Sequence, residues 1–370
     1  MGLEARHRFS WVLLMQAARF ARRLALCLAL LITTVTPSFA IPLLLVDAAT
    51  LQVLYAEDAG VPWHPASVTK LMTAYLAFAA IKDGRVTLDT PVTISQHAWN
   101  QAPAKSGLEV GESVSLKDAL YIMLVKSAND MAVAVAETIA ADHNEKTFVA
   151  QMNLMAQQMG MTATHYDNAN GLKSPGQIST ARDLAIVALY IQRDYPQYMP
   201  IFQTQNVQLG IHKLETSNTM LMHFSGLTGM KTGYICQSGL NIVATAQRDG
   251  RSLLAVVLGA SSARERNELA AQLFLRGWSG ALTPTGQTIV DIKDLQTDPV
   301  DMSPMICGKK AKAYVKQRMT DFPYGLKGKP SFLTDKVDGP TYVATELSKQ
   351  VGDIPLPRKR PDAAPAVASN

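Results

Sequence analysis

The sequence predicts an α/β fold of the α+β kind, an antiparallel sheet covered by helices. Three observations predict it. Short apolar runs open the body of the chain at 42–56. Segments of helical period fill 67–193. Two β-rich runs, Leu240 to Gln247 and Ser252 to Leu258, then follow, joined by Arg248-Asp249-Gly250-Arg251. An Asp-Gly pair between such runs signals a hairpin. Strands at both ends of one body, with helices between them, pack as a sheet under helices.

Taken in order, the runs flanking Ala48-Ala49-Thr50 predict two short strands and a turn. A Pro-flanked loop, Val61-Pro62-Trp63-His64-Pro65, leads into a helix from about Ser67, whose apolar residues Leu71, Ala74, Phe78 and Ile81 step by three and four. Ser115-Leu116-Lys117-Asp118 predicts a capping box. Further helices are expected from Asn129 through Ile139, and from a Ser179-Thr180 cap through Arg193, stopping near Pro196. A last long helix fits Glu265 to Trp278. Residues 282–354 form an extension with little periodicity, and the Pro-rich tail 355–370, with Arg358-Lys359-Arg360, predicts disorder.

The chain has 370 residues, 35 Lys+Arg and 30 Asp+Glu, a formal net charge of +5. Five arginines and one acid, Glu4, lie within residues 1–40, so the rest of the chain is nearly neutral and gives no electrostatic argument for nucleic acid. Arg19-Phe20-Ala21-Arg22-Arg23 precedes a 12-residue apolar stretch, Leu24 to Val35. A membrane span needs about 20 apolar residues. The stretch fits a secretory signal peptide over 1–40, with Ser38 and Ala40 as the small residues of a cleavage site before Ile41. A body of residues 41–281 outside the cytosol is therefore expected, periplasmic or otherwise exported, with membrane association left open. Cys27 lies in the leader, and Cys236 and Cys307 could form one disulfide in that setting. The two cysteines lack zinc-ligand spacing, the seven histidines are scattered, and no phosphate-binding glycine loop is present, so neither a metal nor a cofactor is expected.

A nucleophile with a base remains. In Ser67-Val68-Thr69-Lys70 the amine lies one helical turn from the hydroxyl. Serine needs a base to take its proton, and lysine serves only when neutral. Burial and a second cation both push its pKa down. A Ser-x-x-Lys spacing arises by chance about once in a chain of this size, so the argument needs partners. Ser127-Ala128-Asn129 falls between two helices, where its polar side chains can project, and Lys231-Thr232-Gly233 stands just before the strand region. The second lysine can supply the cation, the threonine can meet a carboxylate, and the glycine allows a substrate backbone close approach.

In order, these match the Ser-x-x-Lys, Ser-x-Asn, Lys-Thr-Gly set of penicillin-recognising serine enzymes. The longer stretches Pro65 to Tyr75, Leu124 to Asp130, Ser179 to Ala185 and Gly229 to Tyr234 resemble segments of the D-alanyl-D-alanine carboxypeptidases, the low-molecular-mass penicillin-binding proteins. The resemblance runs from about Ile41 to Trp278. It implies a transpeptidase-like and β-lactamase-like fold with an all-helical subdomain, and release of terminal D-alanine from peptidoglycan stem peptides. It implies β-lactams as covalent inhibitors. By position it implies Ser67 as nucleophile, Lys70 as base, Ser127 as proton relay and Asn129 as holder of the substrate amide. Lys231 would keep Lys70 neutral, Thr232 would meet the terminal carboxylate, and Gly233 and Tyr234 would continue the substrate-binding segment. The Ser67 and Tyr234 N–H groups would form the oxyanion hole. Arg266 falls at the carboxylate-binding arginine, with Arg264 as its rival.

Ala128 stands where the family usually has glycine, a change that is harmless unless the loop needs a positive φ there. Thr228 stands where it often has aspartate. A Cys236–Cys307 bridge would staple the C-terminal segment to the catalytic domain. The alternatives are an endopeptidase using the same residues, a β-lactamase, which needs a deacylating base absent from these motifs, and a silent peptidoglycan-binding protein.

Overall fold

The computed structural model describes residues 41–347; the signal-peptide and tail expectations for 1–40 and 355–370 lie outside the described residues. The chain enters through β1 (Leu43–Asp47) and β2 (Val53–Glu57), then α1 (Lys70–Lys82). Two short strands, β3 (Pro91–Thr93) and β4 (Ser113–Ser115), lead to α2 (Leu116–Tyr121). Helices α3 (Asn129–Ile139), α4 (Glu145–Gln158) and α5 (Ala181–Asp194) follow, then the hairpin β5 (Asn206–Leu209) and β6 (His212–Glu215). Strands β7 (Leu227–Ile235), β8 (Gly239–Arg248) and β9 (Arg251–Ala260) precede α6 (Ala263–Trp278). The extension contributes α7 (Ala311–Asp321), β10 (Thr341–Ala344) and β11 (Glu346–Leu347).

The main sheet is antiparallel, in the order β2-β1-β9-β8-β7. Side chains alternate between faces along a strand, and the central strand β9 shows the result. Leu254, Val256 and Leu258 face one core with Leu184 and Val187 of α5 and Leu71 of α1. Leu253, Ala255 and Val257 face a second core with Leu269 and Phe274 of α6. A strand covered on both faces reads as a continuous apolar run, which is why this region stands out in the sequence. Its hairpin turn is where the Asp-Gly pair puts it, with both Asp249 and Gly250 at positive φ.

Several elements differ from the sequence expectations. Lys231-Thr232-Gly233 lies inside edge strand β7, not before it; its polar residues mask the strand pattern. Helix α4 escaped notice because its buried face rests on three residues, Phe148, Met152 and Ala156. The first helix opens with a tight 3-10 turn, Ala66–Thr69, before α1 proper. Ser115 caps α2 by accepting from Asp118 N, but the reciprocal half of a capping box is missing, because the Asp118 carboxylate accepts the Tyr342 hydroxyl at 2.6 Å.

The extension lies against the same body rather than apart from it. Strand β10 pairs parallel to β5, and β11 pairs antiparallel to β4. Asp294 sits in a buried polar knot, accepting from Arg182 Nη1 at 3.0 Å, Thr180 Oγ1 at 2.8 Å and Thr162 Oγ1 at 2.5 Å. Arg182 also donates to Asp183 and to the Gly160 carbonyl. Burial and the Asp294 charge hold the Asp183 carboxyl up at about 7. Removing one member of a buried charge cluster leaves the others short of a partner. Asp294→Ala is therefore expected to cost about 3 kcal/mol of unfolding free energy, read from urea titrations at neutral pH; a loss under 0.5 kcal/mol would contradict this role.

Candidate active site

The site begins at the 3-10 turn. In a 3-10 turn residues i and i+3 eclipse, and Ser67 Oγ lies 3.0 Å from Lys70 Nζ. Ala66, just before the serine, holds φ +50°, a left-handed conformation that costs a non-glycine residue free energy. The surroundings hold it there. Asn241 of β8 donates from Nδ2 to the His64 and Pro65 carbonyls and accepts from Gly259 N. Trp63 Nε1 donates to the Ser238 carbonyl at 2.8 Å. Gly171 closes the other side: a Cβ there would lie 1.9 Å from the Ala66 carbonyl oxygen, and its φ is +85°.

Lys70 is fully buried. Its amine donates at 2.7 Å to Asn129 Oδ1 and at 2.7 Å to the Asn170 carbonyl. The Asn129 amide is oriented by its own donation from Nδ2 to the Ala102 carbonyl at 2.9 Å. Neither acceptor carries a proton to give. A neutral amine has two N–H donors and one lone pair, so with both donors used the lone pair is left for the Ser67 hydroxyl. Burial drives the Lys70 pKa well below its ordinary value, and the charge on Lys231 pushes the same way. The buried Asp130 carboxylate opposes them. Asp130 is itself held by Ser106 N, Ser106 Oγ and Met131 N.

Lys231 enters from the sheet edge. Its Nζ donates to Ser127 Oγ at 2.8 Å and to the Thr232 carbonyl at 2.9 Å. Burial first, and then the Arg266 charge, lower its pKa to about 7. Arg266 on α6 is also buried, and burial lowers it to about 10; its Nε donates to Asn267 Oδ1. Arg264 turns away, donating to the Phe322 and Tyr324 carbonyls. Ser127 occupies a left-handed turn, φ +66°, at the end of a one-turn π-helix, Ile122–Lys126. Ala128 next to it is extended, φ −63°, so a glycine is not required there. Thr228 in β7 hydrogen-bonds Thr245 of β8 at 2.8 Å.

These groups meet at one open cleft of about 1120 Å³. Ser67, Ser127, Asn129, Thr232, Gly233, Tyr234 and Arg266 line it. Lys70 and Lys231 lie beneath, each bonded to one of its serines. All nine residues singled out in the sequence are thus brought together. Missed were Asn170, whose backbone carbonyl holds Lys70, and Ser217, which accepts the Thr232 hydroxyl at 2.9 Å. Asn170-Gly171 is a legible turn signal, but nothing in the sequence says what its carbonyl meets. Cys236 and Cys307 are bridged, and both reach the cleft.

A family model described as D-alanyl-D-alanine carboxypeptidase matches residues 36–262. The D-alanyl-D-alanine carboxypeptidase DacD of Escherichia coli is 35% identical over 240 residues, 63% of this chain and 61% of that protein. The protein of the same name from Salmonella typhimurium is 31% identical over 325 residues, 84% of this chain and 80% of its own. The chain thus spans about three-fifths of the first relative's length and four-fifths of the second's. Among solved structures, penicillin binding protein 6B from Escherichia coli matches with TM-score 0.60 and 34% identity, over 64% of this chain and 76% of that one. Penicillin-Binding Protein D2 from Listeria monocytogenes, in a cefotaxime-bound form, matches with TM-score 0.58 and 26% identity, over 66% of this chain and 100% of that one.

The buried amines couple stability to pH. Unfolded, Lys231 holds its proton up to 10.5; folded, only to about 7. Between those values the unfolded state binds more protons, so stability rises with pH and is lost as pH falls through the folded value. Lys231→Met is expected to remove on the order of 4 kcal/mol from the wild-type rise in unfolding free energy between pH 7 and pH 10. Urea unfolding at the two pH values measures it, and parallel wild-type and variant curves would contradict it.

Proposed function

The chain belongs to the D-alanyl-D-alanine carboxypeptidase family, and we propose that it releases the terminal D-alanine from peptidoglycan stem peptides through an acyl-enzyme on Ser67. One observation carries the reading. Lys70 Nζ is fully buried and lies 3.0 Å from the Ser67 hydroxyl and 2.7 Å from each of two carbonyl-type acceptors, and burial and the Lys231 charge both favour its neutral form. Burying a lysine amine is costly, and a protein that merely bound peptide would have no use for a neutral one beside a serine.

In this reading Ser67 passes its proton to the Lys70 lone pair as Oγ attacks the scissile carbonyl. The oxyanion meets the backbone N–H groups of Ser67 and Tyr234, each worth about 3 kcal/mol to the transition state. The leaving amine takes a proton through Ser127, which Lys231 holds in place at 2.8 Å. The C–N bond breaks, D-alanine departs, and water hydrolyses the ester on Ser67. The substrate's terminal carboxylate faces Thr232, with Lys231 and Arg266 supplying positive charge. The second N–H of Asn129 Nδ2 holds the substrate amide. A β-lactam offers a carbonyl and a carboxylate to the same groups and would acylate Ser67 in the same way; the cefotaxime-bound neighbour supports β-lactam binding. The Cys236–Cys307 bridge supports an oxidising setting outside the cytosol.

Fluorescent penicillin should label the wild-type protein at Ser67. Ser67→Ala should abolish the label, Lys70→Ala should slow acylation by a factor of about 10² to 10⁴, and Ser127→Ala should slow it less. An adduct surviving Ser67→Ala, or full activity in Lys70→Ala, would overturn the assignment.

The pH profile gives a second check. D-alanine release should rise with pH as Lys70 becomes neutral, and kcat/KM should fall again as Lys231 loses its proton at about 7. A bound carboxylate favours the charged amine, so the falling limb of kcat should lie at higher pH than that of kcat/KM. A kcat/KM that does not fall between pH 6 and pH 9 would contradict the role given to charged Lys231.

A further inference from the structure

The turn around Ser303–Gly308 lies outside the region that the family model matches, yet Ser303, Pro304, Cys307 and Gly308 line the cleft that holds Ser67. It is held from three sides. Met302 is fully buried, and its N–H donates to the Gln237 carbonyl at 2.9 Å. Met305 and Ile306 pack against the main core. The Cys236–Cys307 bridge ties the turn to the segment just after β7. The turn closes on itself through Cys307 N and Gly308 N, both donating to the Ser303 carbonyl. Tyr234, half exposed in the cleft, puts its hydroxyl 3.4 Å from Cys307 Sγ.

We propose that this disulfide-tethered turn is a specificity wall, admitting stem peptides whose residue before the penultimate D-alanine is unbranched and hindering those in which that residue carries a second stem. The inference rests on the carboxypeptidase reading. Strand β7 is the sheet edge, so a substrate backbone lies along it as an added strand. Its carboxylate end is fixed near Thr232 and Arg266, and its scissile carbonyl near Ser67 and Tyr234. The acyl part therefore runs on toward Ile235 and Cys236. A strand advances about 3.4 Å per residue, so the residue preceding the penultimate D-alanine arrives beside Cys236 and its bridge. A plain side chain can turn toward the open cleft there. A side chain linked to another peptide meets Pro304, Cys307 and Gly308, which the bridge and buried Met302 keep from moving aside.

The test compares D-alanine release from a free pentapeptide with release from the same pentapeptide carrying a second stem on that side chain. In the wild type the kcat/KM ratio should favour the free peptide by at least tenfold. In the double variant Cys236→Ser, Cys307→Ser the preference should shrink severalfold, chiefly through a lower KM for the branched peptide. Pro304→Tyr, which leaves the bridge in place and adds bulk to the wall, should enlarge it. Penicillin acylation of Ser67 is run on every protein. Acylation without release from either peptide would sink the carboxypeptidase reading itself. Equal rates on both peptides in the wild type, or ratios unmoved in both the bridge-free variant and Pro304→Tyr, would overturn the wall and leave that reading standing.

Discussion

The structure depends on keeping two lysine amines buried within one polar neighbourhood. Charges are costly to bury, and like charges raise the cost. The cost falls most heavily on Lys70, where burial and the Lys231 charge together drive the pKa well below its ordinary value. Lys231 then feels burial and Arg266, and holds its proton to about 7. The cost of burial thus favours the neutral form of an amine that lies 3.0 Å from the Ser67 hydroxyl. The rest of the site fixes the partners: Asn129 and Asn170 for one amine, Ser127 and Thr232 for the other.

The fold supplies the rigidity that this needs. The serine turn is clamped from the sheet by Asn241 and from the opposite side by Gly171. Two strained positions, Ala66 and Ser127, stand next to or at the serines that line the cleft, each with positive φ. Strain of that kind survives only where surrounding contacts over-determine the backbone. The contacts around Ala66 meet the description: Asn241 holds the His64 and Pro65 carbonyls, Gly171 closes on Ala66, and Trp63 anchors the entry to the Ser238 carbonyl.

Much of this was legible in the sequence because it is carried by period and spacing. Strands β8 and β9, their Asp-Gly turn and helices α3, α5 and α6 follow from apolar pattern and caps. The site residues were legible as three short motifs. What was not legible depends on backbone atoms and on contacts between distant segments. The Asn170 carbonyl that holds Lys70 has no side-chain signature. Strand β7 was hidden because its lysine, threonine and glycine serve the cleft rather than the β pattern. The Ala128 substitution shows the same limit: the left-handed residue of that loop is Ser127, and only φ angles reveal it.

The extension beyond α6 was the least periodic part of the chain, and the structure gives the reason. It builds little core of its own; α7 contributes no fully buried residue. It holds its place through local contacts to elements already formed: Asp294 to Arg182, Met302 to Gln237, Cys307 to Cys236, and the β10 to β5 pairing. A segment of this kind needs no amphipathic pattern, because its fold is dictated by the surface it lies on. The same dependence ties its placement to a few residues, Asp294, Met302 and Cys307 among them. It also places the extension against the cleft rim, where a few residues can reshape access to Ser67 while the lysines beneath keep their partners.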